Sequence, residues 1–165
     1  MIYKSYLIEQ NFRLLVKNIV LFYGENLGLQ NEFKNQIKVN NKNAEIINFT
    51  QEEILKNENS FYSEILNISL FGQEKIYIIN QSSDKILELI QTIETKLDNQ
   101  KLYFFTEILD RRSKLRAYFE KSKNLAVIAC YADNENNLKK IINEKLKGFS
   151  GLSAQNINTI MDNCN

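Results

Sequence analysis

The residues best placed to bind a phosphate follow the first strongly apolar run of the chain. Gly24, Glu25, Gly28, Leu29 and Gln30 stand where a phosphate-binding loop would open a helix. Such a loop has two glycines five positions apart, followed by lysine and then serine or threonine. The backbone amides and the lysine ammonium bind the phosphates, and the serine or threonine hydroxyl binds magnesium. Here the glycines are four apart, leucine and glutamine replace the last two residues, and glutamate adds negative charge. This pattern indicates either a lost nucleotide site or an ordinary glycine turn, and ATP hydrolysis is not expected.

An apolar segment at mid-chain is the second candidate site. Leu70 and Phe71 directly precede Gly72, which permits a sharp turn, so these side chains are expected at an exposed tip, whereas Ile65 and Leu66 face the core. An exposed apolar tip of this kind can serve as a plug for a pocket on a partner protein. The alternative is that the segment completes a helix and folds into the core.

A basic run is the third candidate. It contains four cations within six positions, namely Arg111, Arg112, Lys114 and Arg116. Such a run is usually a solvated helix face. The more specific alternative is that it contacts phosphate or the DNA backbone.

The composition excludes several kinds of chemistry. The chain has no histidine, so serine-histidine catalysis, cysteine-histidine catalysis and histidine metal sites are impossible within it. Cys130 and Cys164 supply too few soft ligands for a structural zinc site and suggest no disulfide framework. The sequence places no pair of carboxylates at a strand end, so it gives no sign of general acid-base catalysis. A net charge of +1 gives no global attraction to nucleic acid or membrane. No catalytic residue, metal or cofactor is therefore predicted.

Five apolar runs predict the elements that must position these residues. They lie at residues 19–23, 44–49, 75–79, 101–106 and 125–130, and most are continuously apolar. Continuous apolarity indicates burial on both faces, as in the central strands of a parallel sheet. Helical spacing between the runs, as at residues 84–97, predicts the crossovers. The sequence thus predicts an α/β fold with a doubly wound, parallel, five-stranded sheet and helices on both faces.

Capping signals predict where several of the helices begin. Thr50 with Glu53 forms a capping box, and Ser83, Asp133 and Ser153 are the expected N-caps of three further helices. Weaker helices are predicted over residues 25–39 and 111–119.

A glycine-containing segment at residues 147–151 predicts a hinge. We expect an α/β domain over residues 1–147, followed over residues 148–165 by the hinge and the first helix of a truncated helical domain. No apolar run approaches the roughly 18 residues of a membrane helix, and no signal peptide is evident. A soluble, cytoplasmic protein without membrane contact is expected.

The order of these features resembles a known family. LFYGENLGL, then NISLFGQEKIYIIN, then LDRRSKLRAYFEKSKNLAVIACY is similar to the N-terminal part of the delta subunit of bacterial DNA polymerase III, which belongs to the sliding-clamp loader. The resemblance covers about the whole chain and implies an AAA+-like fold with an inactive phosphate loop and a small helical lid. It also implies a non-catalytic role in DNA replication.

The resemblance assigns a role to the mid-chain segment. Five residues are similar to the family's clamp-binding pentapeptide, in which glutamine usually stands first: Asn67, Ile68, Ser69, Leu70 and Phe71. The implied partners are the sliding clamp, the other loader subunits and, indirectly, primed DNA. Two alternatives remain: a divergent phosphate-loop ATPase and a non-catalytic α/β protein-interaction domain.

Overall fold

The computed structural model describes residues 1–66, 74–97, 100–151 and 153–163. The strands are β1 Ile2–Tyr3, β2 Ile19–Tyr23, β3 Glu45–Thr50, β4 Lys75–Asn80, β5 Lys101–Thr106 and β6 Ala126–Ala129. The helices are α1 Ser5–Gln10, α2 Leu27–Asn40, α3 Gln51–Lys56, α4 Glu58–Leu66, α5 Leu87–Glu94, α6 Lys114–Lys121, α7 Glu135–Lys145 and α8 Ala154–Asp162. Short 3₁₀ helices cover Phe12–Leu14 and Asp84–Ile86.

The strands form one sheet in the order β1-β6-β2-β5-β4-β3, and every pairing is parallel. After β2 the chain runs to the β3 edge, returns through β4 and β5, and then crosses to β6 on the other side of β2. The predicted doubly wound parallel α/β fold is confirmed, with all five predicted strands present. The sheet nevertheless has six strands, because β1 adds a two-residue edge strand that is too short to give a sequence pattern.

Helices cover both faces of the sheet, as predicted. Along β2, Leu21 faces one apolar core and Phe22 faces the other. The first core contains buried residues of α3, α4, α5 and α6, and the second contains buried residues of α1 and α2. Both faces of the central strands are therefore buried, which explains their continuous apolarity. The strand aromatics Tyr77, Tyr103 and Phe104 are at most 3% exposed.

The predicted caps are confirmed with one exception. Thr50 and Glu53 form both hydrogen bonds of a capping box, and the side chains of Ser83 and Ser153 accept hydrogen bonds from the turns that follow them. The cap predicted at Asp133 is wrong, because α7 begins one residue later and the side chain of Asn134 accepts from the amide of Asn137. A cap must directly precede the first turn, and Asn134 holds that position.

The chain divides into two compact units, residues 1–130 and 131–165. The first holds the whole sheet, and the second holds α7 and α8, which contact each other. The hinge predicted at residues 147–151 lies inside the second unit, and the predicted domain boundary at residue 148 stays a prediction. Within the described part of the chain, no helix is long and apolar enough to span a membrane.

Candidate functional site

The turn after β2 is built around Gly24. Its φ is +139°, and a Cβ atom added there would lie 2.0 Å from the carbonyl oxygen of Cys130. Only glycine therefore fits, both for its backbone conformation and for the close approach of the β6 end. Gly28, by contrast, lies in α2, where an added Cβ would meet only the Asn26 Oδ1 atom at 3.4 Å. The positive φ expected of a glycine turn is thus found at the first glycine.

The amides of this loop donate to the protein itself. The Gly24 amide donates to the Glu107 carbonyl oxygen at 3.0 Å, and the Asn26 amide donates to that of Cys130 at 3.0 Å. The Leu29 amide donates to Asn26 Oδ1 at 2.9 Å, which caps α2. In a phosphate loop such amides point at the phosphates. Here these three are already occupied.

Gln30 closes the loop from within. Its side chain is 4% exposed, and Nε2 donates to the carbonyl oxygens of Gly24 and Thr106, both at 2.9 Å. Leu29 is partly buried against the second core, and Glu25 is exposed. Of the two residues that replace lysine and serine or threonine, Gln30 therefore bonds across the turn and Leu29 packs against the core.

Lys34 and Asn80 form a further contact that the sequence did not reveal. The Lys34 ammonium donates to Asn80 Oδ1 at 2.7 Å and lies 4.7 Å from the centre of the Phe105 ring. Burial, and secondarily the charge of Lys38, lowers the pKa of Lys34. The contact ties α2 to the end of β4.

The end of β4 also carries no carboxylate. Phosphate-loop enzymes hold magnesium partly through an aspartate at a strand end, whereas Asn80 ends β4 with a neutral amide. Among the described residues, no group of three potential metal ligands was found. In the sequence, the only sign of a polar contact at this strand end was Asn80, which follows a continuous apolar run.

The four cations of the basic run differ in exposure. Arg111, Arg112 and Lys114 are exposed. Arg116 is instead half-buried, with Nε 2.7 Å from Glu120 Oε1 and the guanidinium 5.0 Å from the centre of the Tyr23 ring. Three of the four predicted cations are therefore open to solvent.

At the start of α6, beside this run, Ser113 is the N-cap and Asp84 binds the first turn from outside the helix. Its carboxylate accepts hydrogen bonds from the Ser113 hydroxyl at 2.6 Å and from the amides of Lys114 and Leu115, each at 3.0 Å. Burial acts to raise the pKa of Asp84, but these hydrogen bonds outweigh it and hold the pKa below its ordinary value. A carboxylate of this chain therefore already stabilises the positive end of the α6 dipole.

The predicted plug, Asn67 to Phe71, lies outside the described residues, but its flanks are described. On one side Ile65 is fully buried, as expected, while Leu66 is 37% exposed and does not face the core as predicted. On the other side Glu74 is exposed and its carboxylate lies 2.7 Å from the Lys101 ammonium. Glu74 directly precedes β4, so it lies at the amino ends of the strands, the edge opposite the Gly24 loop.

Comparison with known proteins gives a likeness of fold. By sequence, the chain matches no protein-family model and no curated protein. By structure it is similar to the Bacillus subtilis DNA clamp loader delta protein, with a TM-score of 0.62 and 13% identity over 87% of this chain. It is also similar to a Rhizobiales Trip13 structure, with a TM-score of 0.56 and 12% identity over 93% of this chain.

The chain spans 47% of the clamp loader delta protein and 63% of the Trip13 protein. The likeness therefore concerns one part of each larger protein. The α/β fold expected from the sequence is confirmed: this chain has a parallel α/β fold similar to that of a clamp loader delta protein.

Proposed function

We propose that this chain is the N-terminal part of a clamp-loader delta-type subunit, which binds the DNA polymerase III sliding clamp and helps to open the ring during DNA replication. The observation that carries the proposal is the likeness of fold to the Bacillus subtilis clamp loader delta protein. The order of the sequence motifs supports the same assignment independently. In this role the chain is a non-catalytic subunit of a cytoplasmic assembly.

The internal contacts of the Gly24 loop favour this role over that of an ATPase. Gln30 and the loop amides bond to the chain itself, and neither a lysine nor a hydroxyl follows Gly28. A triphosphate would have to replace these buried hydrogen bonds without gaining an ammonium contact from the loop. ATP is therefore consumed by other subunits of the loader.

Contact with the clamp is assigned to the plug, chiefly to Leu70 and Phe71. Burial of each side chain in a preformed pocket contributes about 1.5 to 3 kcal/mol at most. Asn67 stands where glutamine is usual, and its side chain is one methylene shorter than that of glutamine. Asn67 is therefore expected to contribute little to clamp binding. Two anchors alone do not reach nanomolar affinity, so further contacts with the clamp are required.

The mechanism is mechanical. A ligand that binds the closed and the open clamp equally shifts neither population, so the subunit must prefer the open form. Its free energy of binding then offsets part of the cost of separating the ring interface.

Arg111, Arg112 and Lys114 are the residues proposed to contact DNA phosphates if the loaded assembly brings primed DNA near α6. Arg116 is a weaker candidate because Glu120 and Tyr23 already hold it. We also propose that α8 begins the helical lid and that the remainder of such a subunit joins the other loader subunits.

Calorimetry of the chain with the sliding clamp of the same organism tests the proposal, and a second titration with Mg-ATP tests the alternative. Binding of the clamp without binding of Mg-ATP is expected. Micromolar binding of Mg-ATP would favour the ATPase. Failure to bind either would leave the chain as an α/β interaction domain with another partner.

A further inference from the structure

A cavity of about 270 Å³ opens at the amino end of β2, away from the Gly24 loop. We call it the amino-edge pocket, and its wall includes apolar side chains, one cation and one carboxylate: Val16, Ile19, Leu97, Leu125, Lys17 and Glu94. The function proposed above uses none of these residues. Its volume is enough for one or two apolar side chains of a partner protein.

The rim of the pocket carries apolar surface that the fold does not use. Val16, in the pocket wall, is 72% exposed. Large apolar side chains that remain exposed beside a cavity are typical of protein interaction sites. Leu125, in contrast, is fully buried and provides an apolar floor.

The charges favour a partner that brings a carboxylate. Glu94 already accepts hydrogen bonds from the hydroxyl groups of Tyr118 and Ser122. Among the ion pairs formed by the described residues, none involves Lys17. The ammonium of Lys17 is the one cation among the described residues of this wall and can therefore pair with a carboxylate of a ligand.

The pocket lies on the same sheet edge as the flank of the plug. The Leu102 amide donates to the carbonyl oxygen of Asn18 in the pocket wall at 2.7 Å, and the neighbouring Lys101 pairs with Glu74 at 2.7 Å. These contacts connect the pocket at β2, through β5, to the start of β4. Because β2 and β4 are two strand spacings apart, the distance along the edge is about 10 Å.

We infer that the amino-edge pocket is a second contact for the partner that binds the plug, and that it takes an apolar side chain followed by a carboxylate of that partner. The inference rests on the proposed function, in which the partner is the sliding clamp. It supplies one of the further contacts that the plug alone lacks. Two contacts with one partner raise the affinity more than either alone, because the second forms within an existing complex.

The test compares clamp binding by the wild-type chain with binding by Val16→Asp and Lys17→Glu. Val16→Asp places a charge in the apolar contact and is expected to weaken binding about tenfold or more. Lys17→Glu reverses the ionic contact and is expected to weaken binding roughly threefold to tenfold, with the difference shrinking as salt is raised. Both sites are at the surface, so the melting temperatures are expected to stay close to wild type.

Matched controls lie at the opposite edge of the sheet. Ile108 is 69% exposed and Lys85 is exposed, so Ile108→Asp and Lys85→Glu make the same types of change beyond the carboxyl ends of the strands. Both controls are expected to bind the clamp like wild type. The inference is overturned if the two pocket variants also bind like wild type while loss of Leu70 and Phe71 abolishes binding. If the wild-type chain does not bind the clamp, the proposed function is wrong, and the clamp is then not the partner of the pocket either.

Discussion

The side-chain nitrogen of Gln30 lies 2.9 Å from the carbonyl oxygen of Gly24, across the loop where a phosphate would lie in a nucleotide-binding member of this fold. The same nitrogen donates to the carbonyl oxygen of Thr106, so one side chain joins the ends of β2 and β5 to α2. The turn is thus held in shape by the chain's own hydrogen bonds.

Replacing Gln30 with alanine is expected to destabilise the fold by about 1 to 3 kcal/mol, because one buried and one partly buried carbonyl oxygen lose their donor. Gln36→Ala is the matched control on the same helix, since Gln36 Oε1 is buried without a partner among the described groups. That substitution is expected to be neutral or slightly stabilising. Urea denaturation measures both variants, and equal losses would contradict the role given to Gln30.

Gly24 and Gly28 are expected to respond oppositely to alanine. Gly24→Ala combines a left-handed backbone with a clash at the Cys130 carbonyl and is expected to cost roughly 2 to 5 kcal/mol. Gly28→Ala lies in a helix with room for the methyl group and is expected to gain up to about 1 kcal/mol. Thermal melting separates the two, and a tolerated Gly24→Ala would show that the turn has been described wrongly.

Asp84 is expected to make stability depend on pH. Its pKa is lowered in the folded state, so its contribution is present above the ordinary value of 3.8 and is lost as the pH falls towards the folded pKa. Asp84→Asn is therefore expected to melt below wild type at pH 7, with the difference shrinking below about pH 3.8. Melting curves at several pH values measure this difference, and a constant difference would exclude the charged cap as its source.

The class of fold could be predicted because the central strands are continuously apolar over most of their length. Residues 75–80 illustrate this, since four of the six are buried on the two faces of the sheet. The edge strand at Ile2–Tyr3 could not be predicted, because two residues give no periodicity. The short helix Ser5–Gln10 was missed because six residues with one buried side chain carry little pattern.

The candidate site was predictable in position but not in its contacts. The location of the loop follows from glycines after a strand, and the missing lysine is visible in the sequence. The Gln30 contact with Thr106 and the Lys34 contact with Asn80 join residues 76 and 46 positions apart, respectively. Such pairs depend on which strand ends the fold brings together, and one sequence does not contain that information.

The central claim is that the plug binds the clamp, and the most direct test is the double variant Leu70→Ala with Phe71→Ala. The buried neighbour Ile65, substituted by alanine, is the matched control for loss of core packing and is expected to cost about 2 to 5 kcal/mol. The double variant is expected to melt close to wild type and to lose clamp binding in calorimetry. Clamp binding at wild-type strength by the double variant, or a collapsed fold, would contradict the assignment of the plug.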